Sequence, residues 1–162
     1  MTSMGQVERL TKIIELLIQR HPRSADVLLG VVPPPTDDEW LEMLRSSPDD
    51  LGVRVRADLY TDRILSEVIK LDEIHRLIDA AGWESITEAA RAIKEFFAED
   101  WKVFCLHCRF VRGESRISDA SSLQKVSRRV GLSPNTVSRK RKEIPRRIAR
   151  DALSGFQAAM KW

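Results

Sequence analysis

The chain predicts an all-α fold, and three observations carry that expectation. Apolar residues recur at three- and four-residue intervals through most of its length. Residues that start and stop helices bracket those stretches. Only "GVRVRADLY" (52–60) alternates like a strand, and it is short. At 162 residues the chain can bury one core and carry a small second module.

The elements follow in order. Residues 3–20 predict a helix with Val7, Leu10, Ile13, Ile14, Leu17 and Ile18 on one face. Ser3 is its expected cap. "HPRS" ends it, because Pro22 lacks an N–H and restrains His21. Pro33 to Pro35 form a stiff extended piece. A helix then starts at Thr36 as cap, with Glu39 as capping-box partner and Asp37 and Asp38 at the positive end of the dipole. Trp40, Leu41 and Leu44 are its apolar stripe, and "SSPDD" stops it. A long helix over 57–81 carries Leu65, Val68, Ile69, Ile74, Leu77 and Ile78, and Gly82 ends it. Ser85 is expected to cap the next helix, with Glu88 three residues on, running to about residue 98. Asp100 is expected to cap a further helix through Val111, with Trp101, Phe104, Leu106 and Phe110 inward and Gly113 closing it. "GESRISDASS" is a polar connection.

Charge divides the chain. Residues 101–150 carry 14 Lys/Arg and 3 Asp/Glu, a net of +11, and the remainder carries 13 and 21, a net of −8. An acidic body with a dense basic end points to a polyanionic partner for that end. The expected organisation is an acidic helical body over 1–99, which docks a protein, and a basic module over 100–162. No apolar run is long enough to span a membrane, and the N-terminus lacks the pattern of a secretion signal. Two cysteines do not make a disulfide framework, so a reducing, cytoplasmic setting is expected.

Within the basic end stands "LQKVSRRVGLSPNTVSRKRK" (123–142). Ser122 is expected to cap a helix over roughly 123–130, with Val126 and Val130 one turn apart. Gly131 sits where a sharp turn needs positive φ. Leu132 plugs the turn, Ser133 caps the next helix and Pro134 suits its first position. Val137 points back at Val126 and Val130. These are the parts of a helix-turn-helix, whose second helix must lock onto the first and leave its other face free for the major groove.

Leu123, Val126, Gly131, Ser133, Thr136, Val137, Ser138 and Arg139 resemble the helix-turn-helix of lac-repressor-type regulators over about 20 residues. Ser127 stands where those proteins prefer Ala. Lys140 stands where an apolar residue usually anchors the second helix, and Ile144 one turn later can serve instead. The order of a helix over 100–111, a polar connection and a helix-turn-helix is similar to region 4 of the sigma factors. Length, helical body and C-terminal module resemble the small late-gene antiterminator Q proteins of lambdoid phages. That resemblance implies DNA binding near a promoter and loading onto paused RNA polymerase.

The expected DNA-binding residues are Ser133, Asn135, Thr136, Ser138, Arg139, Lys140, Lys142, Arg146 and Arg147. Asn135 can pair bidentately with adenine and Arg139 with guanine O6 and N7. Ser133 and Thr136 suit phosphate, Ser138 suits either, and part of the Lys140–Lys142 cluster must lie on the backbone. Pro145 is expected to kink or end the recognition helix near Glu143. "RRIARDALSGF" then continues helically, with Arg146, Arg147 and Arg150 on phosphates and Ile148, Leu153 and Phe156 returning to the body.

Other signals are weaker. Cys105, His107 and Cys108 offer three ligands on a helix where a structural zinc site wants four, so no metal or other cofactor is expected. His75 beside Asp72, Glu73 and Asp79 reads as a surface group, and no P-loop, dinucleotide fingerprint or nucleophile elbow occurs, so no enzyme is expected. Trp40 among Asp37, Asp38, Glu39 and Glu42 reads either as a core residue with solvated acids or as the anchor of a docking helix. The leading function is a transcription regulator whose module binds double-stranded DNA and whose body contacts RNA polymerase or a second copy of the chain. The alternative is a DNA-packaging adaptor such as a phage small terminase subunit.

Overall fold

The computed structural model describes residues 4–46, 60–113 and 119–154. Among them every regular element is an α-helix: α1 (Met4–Arg20), α2 (Ser24–Leu28), α3 (Asp37–Ser46), α4 (Tyr60–Ala81), α5 (Trp83–Phe96), α6 (Ala98–Gly113), α7 (Asp119–Val130) and α8 (Pro134–Leu153). The all-α expectation holds. Ser3, the stop after Ser46, the strand-like "GVRVRADLY" up to Leu59, residues 114–118 of the polar connection and Phe156 lie outside the described residues.

α1 sits at the centre and packs on α8, α4, α3, α6 and α2. Its face of Val7, Leu10, Ile13, Ile14, Leu17 and Ile18 is buried, as the spacing requires. The main core joins these to Trp40 and Leu44 of α3, Ile74 and Leu77 of α4, Ile86 and Ile93 of α5, Trp101 and Phe104 of α6, and Ile148 and Ala152 of α8. It therefore draws on both sides of the expected division between residues 99 and 100. Trp40, only 3 % exposed, is a core residue, so it cannot anchor a docked protein.

Four local expectations change. α2 was not foreseen: after Pro22 the chain makes one more short turn that buries Val27 and Leu28. It ends at Gly30, where φ is +78° and the Arg91 side chain of α5 donates to the Leu29 carbonyl at 3.0 Å. In α4, Val68 and Ile69 are exposed by 54 % and 38 %, while Ile74 and Leu77 are buried. At about 100° per residue Val68 lies opposite Leu77 and Ile69 well round from Ile74, so the pair sits at the edge and back of the face that Ile74 and Leu77 bury. The buried face instead includes Lys70 and Glu73, and Glu73 pairs with Arg9 and Arg76. α5 starts two residues before Ser85, with Gly82 (φ +84°) at the cap position and no side-chain cap. α5 stops at Phe96 and α6 restarts at Ala98, so Asp100 lies inside the first turn of α6 and does not cap it.

The start of α3 forms as the capping box predicts. The Thr36 N–H donates to Glu39 Oε1 at 3.1 Å, and the Glu39 N–H donates to Thr36 Oγ1 at 3.3 Å. The other Glu39 oxygen lies 3.4 Å from Nε2 of the buried His21, whose Nδ1 accepts from the Arg23 N–H at 3.0 Å. The Thr36 N–H holds the Glu39 carboxyl below its ordinary pKa. A carboxyl depressed in the fold adds stability above its unfolded pKa of about 4.3, and that contribution is lost as pH falls through the lower folded value. Thr36→Ala should cost about 1 kcal/mol in urea denaturation near neutral pH. Glu39→Gln should destabilise at neutral pH, and the gap to the parent should close in acid. A gap that persisted in acid would mean the charge is irrelevant.

Candidate nucleic-acid interface

α7, a three-residue turn and α8 form one unit. α7 begins at Asp119, earlier than a cap at Ser122 allows. Its end is a turn in which the Gly131 N–H donates to the Ser127 carbonyl at 3.0 Å. Gly131 has φ +73°, the left-handed region that disfavours side chains. Ser127 Oγ donates to the Leu132 carbonyl, which ties α7 to the turn. Ser133 Oγ accepts from the Thr136 N–H at 3.3 Å and meets the Thr136 hydroxyl at 2.9 Å, with Pro134 opening α8. Val126 and Val137 bury against each other and against Val103 of α6, with Val130, Leu132 and Leu106 packed around them. This second cluster is small, and α6 supplies its third wall.

The outer face of α8 carries exposed Asn135, Arg139, Lys142 and Arg146, with Ser138 half-buried beside them. At 100° per residue, 135, 139, 142 and 146 form one stripe. Arg139 is 3.7 Å from Glu143 at the surface, an interaction too weak to hold it. Ser133 and Thr136 spend their side chains on the helix cap. Exposed Lys125, Arg128 and Arg129 of α7 flank the turn and were not among the expected residues. Their charge beside Gly131 was the available signal.

Two expected residues are placed differently. Lys140 pairs with Asp100 of α6. It ties α8 to α6, and Ile144 is buried one turn on. Arg147 lies 4.2 Å above the Phe97 ring and 3.7 Å from Asp151. Pro145 is buried and does not end α8, which runs on to Leu153. The lost backbone bond is outweighed by Ile144, Ile148, Ala149 and Ala152, all of which enter the core.

Cys105, His107 and Cys108 lie on α6, with His107 and Cys108 buried. Burial pushes the Cys105 thiol up to about 11 and the Cys108 thiol up to about 12. Both are protonated at neutral pH and are poor nucleophiles. Among the described residues no group of three or more His, Cys, Asp or Glu is gathered to hold a metal ion. No helix among them is long and apolar enough to cross a membrane. His75 Nε2 meets Asp37 Oδ1 at 2.8 Å, a surface tie between α4 and α3. Compared with protein-family models, curated proteins and solved structures, the chain matches none.

An added Cβ at Gly131 meets no atom within 4 Å, so a side chain there costs backbone strain alone. Gly131→Ala should destabilise by about 1–2 kcal/mol. Gly131→Val should cost more, with the helical circular dichroism largely retained in both. A neutral Gly131→Ala would show that the turn relaxes. For the α6–α8 tie, a double-mutant cycle on Asp100→Ala and Lys140→Ala should give a coupling of about 1 kcal/mol or less that shrinks in salt. No coupling would mean that Ile144 alone seats the helix.

Proposed function

We propose that this protein is a sequence-specific DNA-binding transcription regulator that acts with RNA polymerase, in the manner of a phage antiterminator. One observation carries the reading. The unit of α7, turn and α8 turns its apolar side, Val126 and Val137, into a cluster completed by α6, and leaves Asn135, Arg139 and Lys142 facing solvent. That is what a helix entering the major groove requires. In this reading the first turns of α8 lie in the groove. Asn135 reads adenine and Arg139 reads guanine. Ser138 contacts base or phosphate. Ser133 and Thr136 fix the helix start beside a phosphate. Lys142 and Arg146 follow one backbone strand, and Lys125, Arg128 and Arg129 meet the other. Lys140 positions α8 through Asp100 and does not touch DNA, and Arg147 belongs to the Phe97 contact.

RNA polymerase as partner is supported by the charge division. A body of net −8 avoids the duplex and stays available for protein contacts. Selecting bound sequences from random duplexes, then adding RNA polymerase to the selected site, tests both halves. A ring-shaped oligomer with no site preference would favour the packaging adaptor.

Arg139→Ala should lose about 1–3 kcal/mol of discrimination at one base pair of the selected site. Lys142→Ala should weaken all sequences alike and lower the salt slope by about 1. If Arg139→Ala weakened every sequence equally, Arg139 would be a phosphate contact.

A further inference from the structure

The corner between α5 and α6 has features that DNA binding does not use. Phe96 and Phe97 are exposed by 67 % and 41 %. Their backbone is fixed: the Phe97 N–H donates to the Ile93 carbonyl at 2.8 Å, and the Trp101 N–H donates to the Phe97 carbonyl at 3.0 Å. Two aromatic side chains on an ordered corner lose little freedom when covered. Beside them lies a groove of about 210 Å³, floored by Ile93, Phe97 and Ile144 and rimmed by Arg146, Arg147 and Arg150. The acids at and beside its edge each have a cation near them. Asp100 pairs with Lys140, Glu143 is 3.7 Å from Arg139, and Asp151 is shared by Arg147 and Arg150. Arg146 has no acidic partner among the described residues. Arg139, Lys140, Arg146, Arg147 and Arg150 thus outnumber Asp100, Glu143 and Asp151 around the groove, which leaves it net positive over an apolar floor.

We propose that this groove and the neighbouring Phe96 dock an acidic protein segment that carries one bulky apolar side chain. Carboxylates meet Arg146 and Arg150, and the apolar side chain covers Phe96 and the Phe97–Ile144 floor. Aromatic residues and arginine are the groups enriched at such contacts. Duplex DNA fits less well, because its backbone offers phosphates to the arginines and nothing apolar to Phe96. The site goes beyond the DNA reading and shares only Arg146 with it, while Phe96, Phe97 and Arg150 stand without it.

The test follows amide signals of the ¹⁵N-labelled full chain. It is titrated with a short Asp/Glu peptide holding one central Leu, with the same peptide holding Ala, and with a short duplex. The Leu peptide should move the signals of Phe96, Phe97 and residues 146–150 and bind at least about fivefold tighter than the Ala peptide. Phe96→Ser should abolish that preference while leaving duplex binding unchanged. Arg150→Glu should weaken both peptides. Phe96 is exposed, so the variant's remaining spectrum reports an intact fold. Equal binding of the two peptides, or no shift at the corner, overturns the proposal. So does movement of the Phe96, Phe97 and Arg150 signals by the duplex instead, which would assign the groove to nucleic acid; a duplex shift at Arg146 alone is the phosphate contact of the DNA reading. Concentration-dependent shifts without peptide would assign it to a second copy of the chain, and likewise overturn it.

Discussion

α6 is buried on two opposite faces, and the rest of the molecule depends on that. Trp101, Phe104 and Cys108 face the main core, while Val103 and Leu106 face the small cluster of Val126 and Val137. A helix with one apolar stripe can serve one core. A helix with two welds neighbours together. α8 does the same along its length, with Val137 in the small cluster and Ile144, Ile148, Ala149 and Ala152 in the large one. The basic unit is thus not hung on a linker. Its outer face keeps a fixed orientation to α1 and α5, so whatever α8 contacts also orients the body.

The small cluster alone would be a weak joint. It buries only three residues fully, Val103, Val126 and Val137. The pair between Lys140 and Asp100 strengthens the joint from the side, at a position where an apolar anchor would be simpler. An ion pair has a direction that an apolar contact lacks, and it adds to the buried Val137, Ile144 and Ile148 in favouring one rotation of α8 about its axis. That rotation decides which side chains face outward. The partly exposed pair adds little stability. Its value lies in orientation.

What was legible in the chain was local. The capping box of Thr36 and Glu39, the left-handed Gly131, the Ser133–Pro134 start and the buried face of α1 all depend on residues within one or two turns of each other. Four features were not legible, and each depends on distant partners. Val68 and Ile69 look like core residues until α4 is rotated by its contacts with α1, α3, α5 and α8. The break at Phe97 has no Gly or Pro to announce it, because the packing of α5 and α6 makes the corner. Pro145 reads as a helix end, yet three walls of core carry α8 past it. Lys140 reads as one more solvated cation, because nothing in sequence puts it beside Asp100, forty residues earlier.

Charge follows the same logic of placement over composition. The acids close to the basic stripe each sit near a cation: Asp100 pairs with Lys140, Glu143 lies beside Arg139, and Asp151 lies between Arg147 and Arg150. Those acids neutralise the C-terminal half of α8 more than its first turns. Between Asn135 and Lys142 the carboxylates at hand are Asp100 on Lys140 and Glu143 beside Arg139, and the helix dipole adds positive potential at the start of α8. In the DNA-binding proposal a polyanion meets the end of α8 that carries Asn135 and Arg139. The C-terminal half of α8 adjoins Phe97 through Ile144 and Arg147 and keeps an excess of cations, the combination of charge and apolar surface that the proposed docking segment requires.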